Sequence, residues 1–241
     1  MLLSQRLTAP LMLSNMASFN GDLEAPFHDF LVDVIGQDPI HVRFLNLLSL
    51  LEHTGSRKIM LSQMKGILSQ DILKHLAEET RHAFFFKREA EKRAGLSLEG
   101  YTADNTLCAG PGQFYFGRLD AGLTQDLSGS SQAEISYLWV SLVVELRALW
   151  VYRLYQAALA EMRYPMPLKG IIAEEDRHLT DMQTRLEALG FDLADRFDAA
   201  CGLEKRLFSK LFACLQRDVK GLSRAAQPCE YTSPDPAFVP S

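Results

Sequence analysis

EETRH at Glu78–His82 and EEDRH at Glu174–His178 are the two strings on which the fold of this chain turns. Each contains Glu-x-x-His, namely Glu79 with His82 and Glu175 with His178. Residues three apart on an α-helix share a face, so each carboxylate and imidazole can address one point. Upstream of each string a glutamate interrupts an apolar helical run: Glu52 in FLNLLSLLEHTG and Glu145 in ISYLWVSLVVELRALW. Glu52 precedes Glu79 by 27 residues, and Glu145 precedes Glu175 by 30. About thirteen residues up, a turn of about four and about ten back bring such a pair to one level of an antiparallel hairpin. Glu134 or Asp38 could replace Glu52 only if that offset is ignored.

Outward from these strings the chain reads as helix. Apolar residues recur at i, i+3, i+4 and i+7 in long segments, and strand signals are nearly absent. The pattern predicts a short helix near residues 23–35 and core helices over 38–65, 69–93, 131–162 and 168–189. A further helix over 193–222 lies outside or alongside them. Ser69 is an N-cap type residue, and Gly190 ends the fourth core helix. Residues 94–130, glycine-rich with Pro111 and little helical period, form a long connector between the second and third core helices. Two hairpins with short turns and one long crossover distinguish this connectivity from a simple up-and-down bundle. GPGQFYFG, residues 110–117, superficially suggests a nucleotide loop, but no strand precedes it and its spacing is wrong. From residue 226 a proline-rich tail reads as extended. The whole is one domain, 1–241, with its core at about 38–189.

Composition narrows the class. Hydrophobic residues make up 47% and charged residues 23% of 241, the profile of one globular domain. A net charge of −5 with no Lys/Arg block argues against a general nucleic-acid binder. Cys108, Cys201, Cys214 and Cys229 form no C-x-x-C pair, against an iron–sulfur site or a disulfide scaffold. The N-terminal MLLSQRLTAPLMLSNM lacks a signal-peptide pattern. The apolar stretch 135–157 carries Glu145, Arg147 and Arg153, which fits a bundle helix better than a membrane span. These features lead us to expect a reduced cytoplasm and no membrane role.

A lone ionised carboxylate in a dry core costs several kcal/mol unless paired or coordinated. Four of them together repel, and two divalent cations would balance them charge for charge. Oxygen-rich ligation with a few imidazoles suits iron or manganese better than zinc.

One Glu from each of two helices, with Glu-x-x-His from each of two others, resembles the ferritin-like di-iron carboxylate proteins. The resemblance covers about 38–189. It implies an all-α, ferritin-like four-helix bundle with one long crossover and extra N- and C-terminal helices. It also implies two Fe ions, with Mn or a mixed pair as alternatives. Their ligands, and the catalytic set, would be Glu52, Glu79, His82, Glu145, Glu175 and His178. The E-E-x-R-H form is similar to strings in bacterial di-iron hydroxylases, which implies that Glu78, Arg81, Glu174 and Arg177 hold the ligands from behind. Glu78 and Glu174 also read as solvated acids.

His75 shares the face of Glu79 and His82, and the reading favoured is a core-edge histidine over a third imidazole. Tyr152, seven after Glu145, reads as a buried bundle tyrosine before a residue acting near metals. Gly55, Ser56 and Ser141 are small enough either to leave room for oxygen and substrate or to let helices approach. Phe84–Phe86 reads as core.

The resemblance implies a non-haem di-iron oxidoreductase that activates O2 to oxidise a small organic substrate. The alternatives are a peroxide-reducing protein, a ferroxidase or iron-handling subunit, and a bundle without catalysis. The N-terminal arm, long crossover and fifth long helix exceed what a storage cage needs and suit a shaped pocket. The absence of a cysteine pair for a rubredoxin centre weakens the peroxidase alternative. With no flavin or nicotinamide motif, electrons would come from a separate ferredoxin or reductase, or from the substrate. A homodimer is allowed for.

Overall fold

Local sequence sets the helix ends. Ser69 accepts a hydrogen bond from the Ile72 amide at 3.3 Å and opens α4 (Gln70–Ala94), and Gly95, at φ 68°, closes it. The computed structural model describes residues 7–62, 69–125, 127 and 132–226, and every regular element among them is an α-helix. Besides α4 these are α1 (Ala9–Phe19), α2 (Gly21–Ile35), α3 (Asp38–Ser62), α5 (Ala109–Thr124), α6 (Gln132–Glu161), α7 (Lys169–Ala188) and α8 (Leu193–Ala226).

Four of them surround the site. α3 and α4 run antiparallel: Asp38 pairs with Arg93 at one end, and further along Ser49 Oγ donates to the Ala83 carbonyl at 2.7 Å. α6 and α7 form a second antiparallel pair, tied by Glu134–Arg185 at 2.7 Å and Arg153–Asp176 at 2.8 Å. The two pairs meet where the EETRH string of α4 faces the EEDRH string of α7.

α6 is the central element, with Leu138, Leu142, Val143, Leu146 and Leu149 almost wholly buried. Its stretch Ala133–Glu161 is long and apolar enough to cross a membrane by length and composition, yet 72% of its most apolar window is covered. α1, α2, α3, α5, α7 and α8 all touch it, so packing accounts for its apolarity. α8 closes one side through rings: Phe27 of α2 lies 5.3 Å from Phe208 and 5.1 Å from Phe212.

Three expectations change. The connector 94–130 holds a helix, α5, and GPGQFYFG lies within it, not in a loop. Gly112 lets α5 approach α3, since a Cβ there would stand 3.1 Å from Leu47 Cδ1 and 3.4 Å from Leu51 Cδ2. α1, which the sequence did not announce, precedes α2. α8 continues to Ala226, past residue 222. The expected extended tail beyond it, and residues 63–65 of the first core helix, lie outside the described residues.

Candidate metal centre

Seven side chains converge inside the four helices. α3 supplies Glu52, α4 supplies His75, Glu79 and His82, α6 supplies Glu145, and α7 supplies Glu175 and His178. All seven are buried. They form two groups, Glu52, Glu79, His82 and Glu175, and His75, Glu79, Glu145 and His178. Within each group the ligand atoms lie within 4.8 Å of one another, and Glu79 belongs to both. All six residues picked from sequence are therefore brought together.

His75 joins them, against the core-edge reading. Its Nε2 stands 3.3 Å from both Glu79 Oε1 and Glu145 Oε1, while Nδ1 is bonded to the Tyr137 hydroxyl at 2.8 Å. Tyr137 was not singled out from the sequence. The available signal was its place eight residues before Glu145, on the same face of α6.

The acid preceding each ligand glutamate serves the opposite string. Glu78 accepts from His178 Nε2 at 2.9 Å and from Arg177 Nη2 at 2.7 Å. Glu174 accepts from His82 Nε2 at 2.7 Å and from Arg81 Nη2. Each motif thus fixes the imidazole of the other, leaving the Nδ1 atoms of His82 and His178 turned inward. Burial works against ionisation at Glu78 and Glu174, but these donors outweigh it and hold both carboxyls below their ordinary value.

Inside, the charges press on one another. Burial pushes Glu52, Glu145 and Glu175 upward, and neighbouring carboxylates add to the rise. Burial also opposes ionisation at Glu79, yet the His75 hydrogen bond and the charges of His75 and His82 pull it down to about 2. Burial would lower His75 and His82, but the surrounding carboxylates lift them to about 12 and about 9. Glu79 Oε1, His82 Nδ1 and Glu175 Oε1 are buried in charge contacts without a well-directed hydrogen bond: His82 Nδ1 stands 2.9 Å from Glu175 Oε1, and His75 Nε2 3.3 Å from Glu79 Oε1. Buried carboxylate oxygens and imidazole nitrogens within 4.8 Å of one another suit a metal ion.

Comparison with protein-family models, curated proteins and solved structures gives no match. The chemistry of the centre rests on its own donors.

Beyond the seven donors, Tyr152 is the buried bundle tyrosine that the sequence favoured, and its hydroxyl is satisfied by donating to Glu52 Oε1, which also brings it against the centre. On that side lies a cavity of about 100 Å³, reached by Glu52, Glu79 and Glu145 and walled by α3, α5, α6 and α8. Gly55 and Ser141 line it, whereas Ser56 turns its hydroxyl to the His53 carbonyl of its own helix. Of the three phenylalanines, Phe86 is core and Phe84 is 60% exposed. On the His75 and His178 side lies a more polar cavity of about 240 Å³, lined also by Tyr137, Glu78 and Arg177.

Proposed function

We propose that the chain is a ferritin-like, non-haem di-iron oxidoreductase that uses O2 to oxidise a small organic substrate. The observation that carries the reading is the pair of buried donor groups sharing Glu79. Four carboxylates in one core match two divalent cations in charge, and Glu79, which belongs to both groups, would serve both. Two iron ions are the natural occupants of this donor set, with manganese or a mixed pair as the nearest substitutes. The two antiparallel helix pairs, joined through α5, support the ferritin-like assignment.

When bound, an iron pair supplies the capacity to bind O2 and pass electrons to it. The protein's part is to place donors, hold protons and exclude water. Glu78 and Glu174 keep His178 and His82 in the orientation that directs Nδ1 inward. Tyr137 does the same for His75 by engaging its other nitrogen. Tyr152 holds its proton against Glu52 Oε1, beside the apolar cavity. That cavity, next to three of the four carboxylates, favours oxidation of a bound organic molecule over iron storage. Reducing equivalents come from a separate ferredoxin or reductase, or from the substrate.

Metal analysis of protein produced in iron-supplemented medium should find close to two ions per chain. The ferrous protein should then consume O2 in about stoichiometric amount without building a mineral. Near-zero occupancy in folded protein overturns the metal reading, and hundreds of irons retained per chain would establish storage instead.

A further inference from the structure

Three cysteines lie among the described residues, and two of them share one corner of the fold. Cys108 opens α5 with its backbone in the left-handed region, at φ 45°, which a residue with a Cβ seldom adopts. Asp218 of α8 holds it there: Oδ2 accepts from the Cys108 amide at 3.1 Å and from its Sγ at 3.6 Å. Cys214 stands one turn before Asp218 on the same face of α8, a spacing that sets Cβ atoms about 5–6 Å apart. Helical side chains lean toward the N-terminus of their helix, so Asp218 reaches back over the turn that carries Cys214. Cys108, bonded twice to that carboxylate, therefore lies against the same turn.

The two sulfurs are differently set. Both are partly exposed, and Arg217 Nη2 donates to Cys214 Sγ at 3.1 Å. The thiolate is the form that attacks an oxidant, and a neighbouring cation favours it. Burial, the Asp218 charge and hydrogen bond, and Cys214 itself push the Cys108 thiol up to about 12, so Cys108 keeps its proton. Cys201 is different again: it is buried on the inner face of α8, and burial first, then Glu204 and Asp198, push it up to about 12. Cys229 lies outside the described residues.

We propose that Cys108 and Cys214 form a reversible, peroxide-responsive thiol pair, with Cys214 as the attacking sulfur and Cys108 as the sulfur that resolves it. The Cys214 thiolate attacks one oxygen of hydrogen peroxide and the O–O bond breaks. Cys214 becomes a sulfenic acid, and the other oxygen leaves as hydroxide, which is protonated to water. The Cys108 sulfur then displaces the sulfenic oxygen, and the Cys108 proton departs with that oxygen as a second water. Two thiols are oxidised by two electrons, and one peroxide is reduced to two waters. The new S–S bond ties the opening of α5 to α8, two helices that wall the cavity beside Glu52. A dithiol reductant reverses it, and in a reducing compartment such a bond is transient. Neither step draws on a metal, so the pair stands or falls apart from the oxidoreductase reading.

Trypsin separates the four cysteines, with Cys108 in residues 94–118, Cys201 in 197–205, Cys214 in 211–217 and Cys229 in 225–241. The full chain is treated with about one equivalent of hydrogen peroxide, its remaining thiols are blocked with N-ethylmaleimide, and the non-reduced digest is read by mass spectrometry. Peptide 94–118 should be joined to 211–217, two hydrogens lighter than the separate thiols and parted by dithiothreitol, while 197–205 carries the maleimide. In Cys108→Ser the Cys214 sulfenic acid has no partner and should be trapped by dimedone; in Cys214→Ser, Cys108 should keep its thiol. Arg217→Gln should slow the reaction about tenfold, whereas Lys220→Gln, which removes a charge from the same helix, should not. The wild-type digest decides alone if a variant fails to fold. Peptide 211–217 joined to 225–241 overturns the proposal. So does Cys214 carried on to sulfinic acid beside a free Cys108 thiol, or Cys201 oxidised as readily as Cys214.

Discussion

At Glu145 the needs of the site and of the fold oppose each other. Burial raises its carboxyl, and Glu175 and Glu79 raise it further. A carboxyl with a raised folded-state pKa binds its proton more tightly folded than unfolded. The metal-free protein therefore loses stability as pH rises above the unfolded value of about 4.3. Glu145→Leu removes that penalty. The metal-free variant should equal or exceed the wild type by about 1–3 kcal/mol at neutral pH, while losing metal and metal-linked stabilisation. Denaturant unfolding with and without metal checks this; a weaker metal-free variant that still binds metal would make Glu145 structural. His75→Ala should lose the ion of the group that His75 completes and keep the other. Glu78→Gln, which loosens His178 without removing any of the seven donors, should weaken binding about 10–100-fold. Equilibrium metal titration distinguishes the two. The clustering of Glu52, Glu79, His82, Glu145, Glu175 and His178 was legible because Glu-x-x-His is a local spacing and a glutamate in an apolar run demands a partner. His75 and Tyr137 were not, because a histidine or tyrosine on an inward face carries no such demand.

Among the elements, α5 shows what periodicity can hide. Its glycines look like loop material, yet two of them are contact points between helices. Gly112 meets α3, and at Gly122 a Cβ would come within 2.6 Å of Leu203 Cδ2 on α8. The helical period fades because close approach removes the side chains that would mark the buried face. The core helices α3, α4, α6 and α7 were legible because large apolar residues mark theirs. The Arg147–Glu204 pair went unseen, since nothing local links residues 57 apart on separate helices. Two substitutions in α5 should have opposite signs. Gly112→Val crowds Leu47 and Leu51 and should destabilise by about 1–3 kcal/mol. Gly117→Ala faces open space and should stabilise by about 0.5–1 kcal/mol through helix propensity. Urea unfolding of both variants tests the assignment, and destabilisation by both would contradict it.

For the molecule as a whole, acid tolerance depends on a histidine remote from the centre. His41 is fully buried, accepts the Tyr155 hydroxyl on Nε2 and leaves Nδ1 without a partner. Burial, with the nearby Arg93 charge, lowers it to about 3. The unfolded chain takes up a proton there below about 6.5, whereas the folded chain does not until about 3. Its contribution is therefore intact above pH 6.5 and declines as pH falls toward 3, by up to about 1.4 kcal/mol per pH unit. His41→Gln should flatten that part of the stability curve. Unfolding both proteins at pH 7, 6, 5 and 4 checks this, and parallel curves would refute it.

The reciprocal hold of Glu78 on one imidazole and Glu174 on the other bears on order of assembly. Neither donor group can be completed by one helix pair: each draws on α4 and also on α7, and Glu78 and Glu174 act only across that gap. A nascent chain that has made α3 and α4 owns Glu52, His75, Glu79 and His82, but no finished set of donors. On the metal reading proposed above, capture of an ion would wait for the second pair to dock, late in synthesis and after α5 is in place. Loading would then be a checkpoint on completed folding, and half-built intermediates would be spared an ion bound in the wrong partnership.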